Sequence, residues 1–156
     1  MEYEKNTTIF GDWRIIKEIG EGSYGKVYEI HKTNFGITTR SALKVIRIPR
    51  SNADIRSALA EGMNEQSITS YFQGFVEEII QEIAVMSSLE SHPNIVGYKD
   101  HCVIRHTGEI GWDILIRMEL LTPLLEYILS NRLDEPTIIQ MAKELSSALS
   151  FCQKKK

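Results

Sequence analysis

Gly20-Glu21-Gly22-Ser23-Tyr24-Gly25 is a stretch of this 156-residue sequence whose residue types point directly at a ligand. Glycines at the first, third and sixth places let backbone N–H groups approach phosphate oxygens with no Cβ in the way. On their own they also suit a plain turn. Three phosphate-binding arrangements share such glycines, and their flanks separate them. A dinucleotide-binding turn opens a helix, whereas Val27-Tyr28-Glu29-Ile30 reads as a strand. A G-x-x-x-x-G-K-[ST] loop fits Gly20 to Lys26 but puts Val27, which has no hydroxyl for Mg²⁺, at its last place. The third arrangement is a hairpin whose turn covers the phosphates, G-x-G-x-x-G-x-V between two strands. Gly20 through Val27 satisfies every position of it.

The elements that must hold this hairpin follow from periodicity. Residues 13–19, 26–31 and 38–48 read as strands, the third β-branched and ended by Pro49, so the first half is an antiparallel meander. A short helix is expected over residues 53–60, stopping at Gly62. A longer one carries Val76, Ile79, Ile80, Ile83 and Met86 at three- and four-residue spacing and ends before His92-Pro93. Residues 94–105 and 112–120 read as two more strands around a hairpin loop at 106–111. Thr122 as cap with Pro123 at the first helical position predicts a short helix over residues 124–129. Asp134-Glu135-Pro136 starts the last helix, whose apolar stripe is Ile138, Met141, Ala142, Leu145, Ala148, Leu149 and Cys152. The fold class is therefore α+β, with a five-stranded antiparallel sheet, one principal helix and a helical C-terminal tail.

Composition narrows the function classes. With 42% hydrophobic and 25% charged residues the chain sits near the globular average, enough for one sizeable core. A net charge of −3 leaves no basic excess for phosphate neutralisation, so nucleic acid is not an expected partner. No apolar run reaches the roughly 18 residues of a membrane span, and Met1-Glu2-Tyr3-Glu4-Lys5 has no apolar signal core. Two cysteines, Cys102 and Cys152, read as free thiols in a reducing cytoplasmic setting, and neither they nor the four histidines show metal-ligand spacing.

From the hairpin onward the sequence resembles a eukaryotic-type protein kinase of the serine/threonine group, over residues from about 11 to 156. The resemblance covers the N-terminal ATP-binding lobe and the first helices of the C-terminal lobe, and its signature motifs occur in order. It implies a tail at residues 1–10, an ATP-binding lobe at 11–121, and hinge-following helices at 122–156. Ser41-Ala42-Leu43-Lys44 stands where the family has V-A-I-K. Ala42 and Lys44 share a strand face by period two; the resemblance implies that Ala42 faces adenine and Lys44 contacts the α/β-phosphates. An ionised lysine beneath a sheet needs an acidic partner, which the family supplies from the long helix. Glu77, Glu78 and Glu82 are the candidates. Glu82 suits best, because it leads into His92-Pro93-Asn94-Ile95-Val96 at nearly the family spacing, and a solvated face suits Glu77 and Glu78. His92-Pro93-Asn94 resembles the family's helix-to-strand turn, a structural role.

The resemblance implies further ATP contacts. Ile19, Gly20, Glu21, Gly22, Ser23, Tyr24, Gly25, Lys26 and Val27 form the lid. Met118 borders the back of the adenine pocket. The carbonyl of Glu119 and the amide and carbonyl of Leu121 hydrogen-bond adenine. The family also uses H-R-D-x-x-x-x-N and D-F-G to place Mg²⁺ and orient the hydroxyl nucleophile. Neither occurs, since Asn34-Phe35-Gly36 lacks the carboxylate and precedes the lysine strand. The expectation is a truncated part of a kinase that transfers the ATP γ-phosphate to protein hydroxyls. The part itself would be inactive, with Mg²⁺ ligands in the absent lobe. It would be prone to self-association through the bare stripe of the 136–152 helix. A kinase-like non-catalytic scaffold is the alternative.

Overall fold

The computed structural model describes residues 3–22, 25–131 and 133–155. Ser23 and Tyr24, two of the expected lid residues, lie outside them. Strands β1 (Thr8–Ile9), β2 (Trp13–Gly22), β3 (Gly25–Asn34) and β4 (Ile37–Ile48) come first. Helices α1 (Asn52–Ala60) and α2 (Glu65–Ser88) follow, then β5 (Tyr98–Arg105), β6 (Trp112–Met118), α3 (Leu124–Ser130) and α4 (Glu135–Lys154). The sheet is antiparallel throughout, in the order β1-β2-β3-β4-β6-β5.

The α2 helix starts where Asn64 accepts a 2.8 Å hydrogen bond from the Ser67 amide, satisfying one orphan N–H. Its buried side chains, Ile68, Phe72, Val76 and Ile83, recur at helical spacing and lie on one sheet face. There they meet Ile46, Ile48, Trp112, Ile114 and Ile116. The other face is closed differently. Ile9 and Trp13 cover Ile15, Tyr28, Ile30, Leu43, Val45 and Leu115, with Tyr3 and Phe10 packed alongside. Tyr3 donates a 3.0 Å hydrogen bond to buried Asp113, which also takes Arg47 Nε at 2.9 Å. Burial pushes the Asp113 carboxyl up, but Arg47, Tyr3 and His106 together hold it below the usual carboxylate range.

Several sequence expectations need correction. The sheet has six strands, not five. The extra one is Thr8–Ile9, which pairs with β2 and lies within the stretch read as a tail; two residues are too few for periodicity to register. The glycine hairpin strands reach further than expected, to Gly22 and from Gly25. The strand expected from residue 94 begins at Tyr98, because the His92-Pro93-Asn94 turn is consumed in docking α4. The next strand ends at Met118, where the Glu119 amide turns to the Gly97 carbonyl at 2.7 Å. Pro123, not Thr122, is the cap residue of α3, and no side chain caps it. Asp134 does cap α4, accepting from the Thr137 amide at 3.0 Å. Among the described residues no helix is long and apolar enough to cross a membrane.

Candidate functional site

Directly opposed residues of an antiparallel ladder project to the same face. Two rows therefore cross the sheet. Gly20 opposes Val27, Val27 opposes Lys44, and Lys44 opposes Ile116. Lys17 opposes Glu29, Glu29 opposes Ala42, and Ala42 opposes Met118. Ile116 and Met118 pack with the α2 cluster, so both rows face α2. The register thus brings Gly20, Val27, Ala42, Lys44 and Met118 together on one concave surface.

Lys44 opens into a cavity of about 710 Å³ between β4 and α2. Ile46, Phe72 and Phe75 make its apolar wall, and Glu78 and Glu82 bring two carboxylates to it. One turn of helix separates those glutamates, so both lie on the side of α2 that lines the cavity with Lys44. Glu78 is exposed, as the solvated-face reading has it, and it lines the same cavity as Glu82. Glu77 does point elsewhere, accepting a 2.9 Å hydrogen bond from Gln73.

The glycines of the hairpin divide into two kinds. Gly25 has a φ of +131°, and a Cβ there would sit 2.0 Å from the Val45 carbonyl oxygen. The fold itself excludes a side chain at that point. A Cβ on Gly20 or Gly22 would meet nothing within 4 Å, and neither residue has a positive φ. Among the described residues nothing in the packing requires glycine there, and the space beside the backbone is open to a ligand. Lys26, beside Gly25, pairs with Glu18 at 3.1 Å across the hairpin.

At the far edge Ile19 and Leu121 are exposed, and Met118 is half-buried. The Glu119 carboxylate accepts from the Gly97 amide at 3.2 Å. No backbone hydrogen bond among the described residues involves Leu121, so its amide and carbonyl stay open. Glu21 is exposed on the last residues of β2. His92 stacks on Phe151 with ring centroids 5.0 Å apart and contacts Ser147 Oγ at 3.2 Å. Asn94 donates to the Glu144 carbonyl at 3.3 Å. This turn joins α4 to the sheet and lies outside the cavity. Sequence reasoning passed over Glu29, whose carboxylate is buried in the row of Ala42; the strand alternation placed it on that face, but nothing local announced its burial. Among the described residues no cluster of His, Cys, Asp and Glu could hold a metal ion.

Comparison with known proteins bears on this geometry. The sequence pattern of the family described as protein tyrosine and serine/threonine kinase matches residues 13–156. CBL-interacting protein kinase 20 of Oryza sativa subsp. japonica is 28% identical over 149 residues, covering 96% of this chain and 28% of that protein. The carbon catabolite-derepressing protein kinase of Candida glabrata is 30% identical over 149 residues, covering 94% of this chain and 20% of that protein. The chain therefore spans between a fifth and a third of the length of these relatives.

Proposed function

The chain belongs to the protein tyrosine and serine/threonine kinase family, and on that premise we propose that it is the ATP-binding part of a protein kinase acting on serine and threonine hydroxyls. The observation that carries this reading is the row Gly20–Val27–Lys44, which puts a bare glycine backbone, an apolar roof and an ammonium in line on the face of α2. A nucleotide fits this surface: the space above Gly20 and Gly22 takes a phosphate against backbone N–H groups, with no Cβ to displace. Lys44 would hold the α/β-phosphates, and Glu82, with Glu78 one turn away, would fix the ammonium. Ala42, Val27, Ile19 and Met118 would bracket the adenine, and the open backbone of Leu121 with the Glu119 carbonyl would take its polar edge.

Mg²⁺·ATP supplies the transferable γ-phosphoryl group when bound. The chain's residues position it and exclude water above it; they do not carry the family's H-R-D-x-x-x-x-N or D-F-G groups. A polypeptide of these 156 residues is expected to bind nucleotide weakly and to transfer no phosphate. Same-reading corollaries are the division into a tail, an ATP-binding lobe and hinge-following helices at 1–10, 11–121 and 122–156, and a cytoplasmic location with Cys102 and Cys152 free. Self-association is a further corollary, since Ile138, Ile139, Leu145 and Leu149 lie exposed along α4.

The test is a titration of Mg²⁺·ATP against the wild type and Lys44→Ala. Loss of one charge-assisted phosphate contact should weaken binding by about tenfold or more. Equal affinities for the two proteins would overturn the assignment of Lys44.

A further inference from the structure

Glu29 is a buried carboxylate that the nucleotide reading does not use. It is 9% exposed and lies in the row between Lys17 and Ala42. One oxygen, Oε1, is 2.7 Å from His31 Nε2, and the other, Oε2, is 3.6 Å from Lys17 Nζ. Lys17 belongs to β2, and His31 to β3 beside Glu29. Arg14 and Arg40 oppose His31 from the two neighbouring strands, so the carboxylate is the negative centre of a cationic patch. The His31 contact is the main reason its carboxyl is held below the usual carboxylate range, against the opposing effect of burial.

The backbone beside this group is irregular. The β2–β3 register shifts between Ile15 and Lys17 and again between Glu18 and Gly20. A bulge bends its strand and strengthens the local twist, so two of them flank the root of the glycine hairpin. The segment between them is Lys17-Glu18, and each residue is tied to β3 by an ion pair. Lys17 reaches Glu29 on the α2 face, and Glu18 reaches Lys26 at 3.1 Å. The two ties differ in kind: Glu18 and Lys26 are both partly solvated at 3.1 Å, whereas the first pair joins a largely exposed Lys17 at 3.6 Å to a carboxylate that is itself covered. Glu29 is the covered member of its pair, and it also holds His31 at 2.7 Å, so one side chain joins a contact within β3 to the contact across to β2.

We propose that Glu29 is a positioning residue of the lid: it ties both hairpin strands together at their root, between the two bulges, and so sets how closely Gly20, Gly22 and Gly25 lie over the ligand. This rests on the nucleotide reading for its consequence, though not for its mechanics. Without the carboxylate, Lys17 and Arg40 lose the negative charge that faces them from β3, and the tie from Lys17 across the bulged segment is gone.

Hydrogen exchange on the 156-residue chain, without nucleotide, reads the mechanics directly. In Glu29→Gln, amides of residues 18–22 and 25–27 should exchange about tenfold faster, while those of β5 and β6 keep their protection. Lys17→Met, which changes an exposed side chain, should act in the same direction by a smaller factor and serves if Glu29→Gln does not fold. A Mg²⁺·ATP titration of the same proteins should show weaker binding in the same order. Unchanged exchange in the hairpin would overturn the proposal, as would an equal rise across β6, which would make Glu29 a general core group. If hairpin exchange responds while wild type takes up no Mg²⁺·ATP, the positioning role holds and the nucleotide reading fails. If wild type binds and the hairpin is indifferent to Glu29, the reverse is true.

Discussion

In the sheet Ile114 is 0% and Leu115 1% exposed, whereas in α4 Leu145 is 62% and Leu149 60% exposed. Both regions carry apolar residues at the period of their element, yet one buries them on two faces and the other does not. The sheet is sandwiched: α2 covers one face and the residues around β1 cover the other. Among the described residues the tail is tied along one side, through His92, Asn94, Ser147 and Phe151, and Ala148 is the one buried residue of α4. Patterning makes an element amphipathic; burial needs a second surface of matching shape. The candidate site sits at the sheet's α2 face, so its geometry rests on the region that is closed.

That contrast predicts unequal responses to substitution. The largest loss belongs to Ile114→Ala, which opens a void between β6 and α2 and should lower unfolding stability by about 4 kcal/mol in urea denaturation. A loss below about 1 kcal/mol would mean that the sandwich is looser than its burial implies. Asp113→Asn comes next, at about 3 kcal/mol at neutral pH, because Arg47 loses its buried counter-charge. Its pH dependence has a definite sign. The folded carboxyl lies below its unfolded value, so its contribution is complete above about pH 4 and is lost as pH falls through the lower folded value. The wild type and Asp113→Asn curves should therefore converge in acid; a constant gap down to low pH would remove the Arg47–Asp113 pair from the account.

The smallest effect is expected in the tail. Leu145→Ser and Leu149→Ser should each change stability by no more than about 0.5 kcal/mol, since neither side chain loses a buried site. Leu145→Asp combined with Leu149→Asp should instead shift the mass seen in light scattering towards the monomer. A large drop in thermal midpoint for the serine variants, with no change of mass, would erase the distinction between the two regions.

Much of the molecule was legible without coordinates, where the cause is local. The glycine hairpin, the β-branched strand of Lys44, the Asp134–Thr137 helix start and the turn at His92-Pro93-Asn94 depend on neighbouring residues or on one period. Strand alternation alone put Ala42 and Lys44 on a common face. Other features had no local signature. Thr8–Ile9 is too short to show a period, and Thr122-Pro123 carries a start signal that the chain does not use. Spacing favoured Glu82 over Glu78, but the docking of α2 on the sheet made both line the cavity that Lys44 opens into.

The amino-acid order thus determined which segments extend or coil, which faces are apolar, and where a phosphate could meet bare backbone. Tertiary packing alone decided which surfaces are covered and which charges are buried. Ladder register is the physical reason. It aligned Gly20, Val27 and Lys44 across three strands, set Glu29 beneath Lys17 and beside Ala42, and brought Arg47 to Asp113 across 66 positions of chain. Such pairings are selected by the joint burial of both sheet faces, which no single segment encodes.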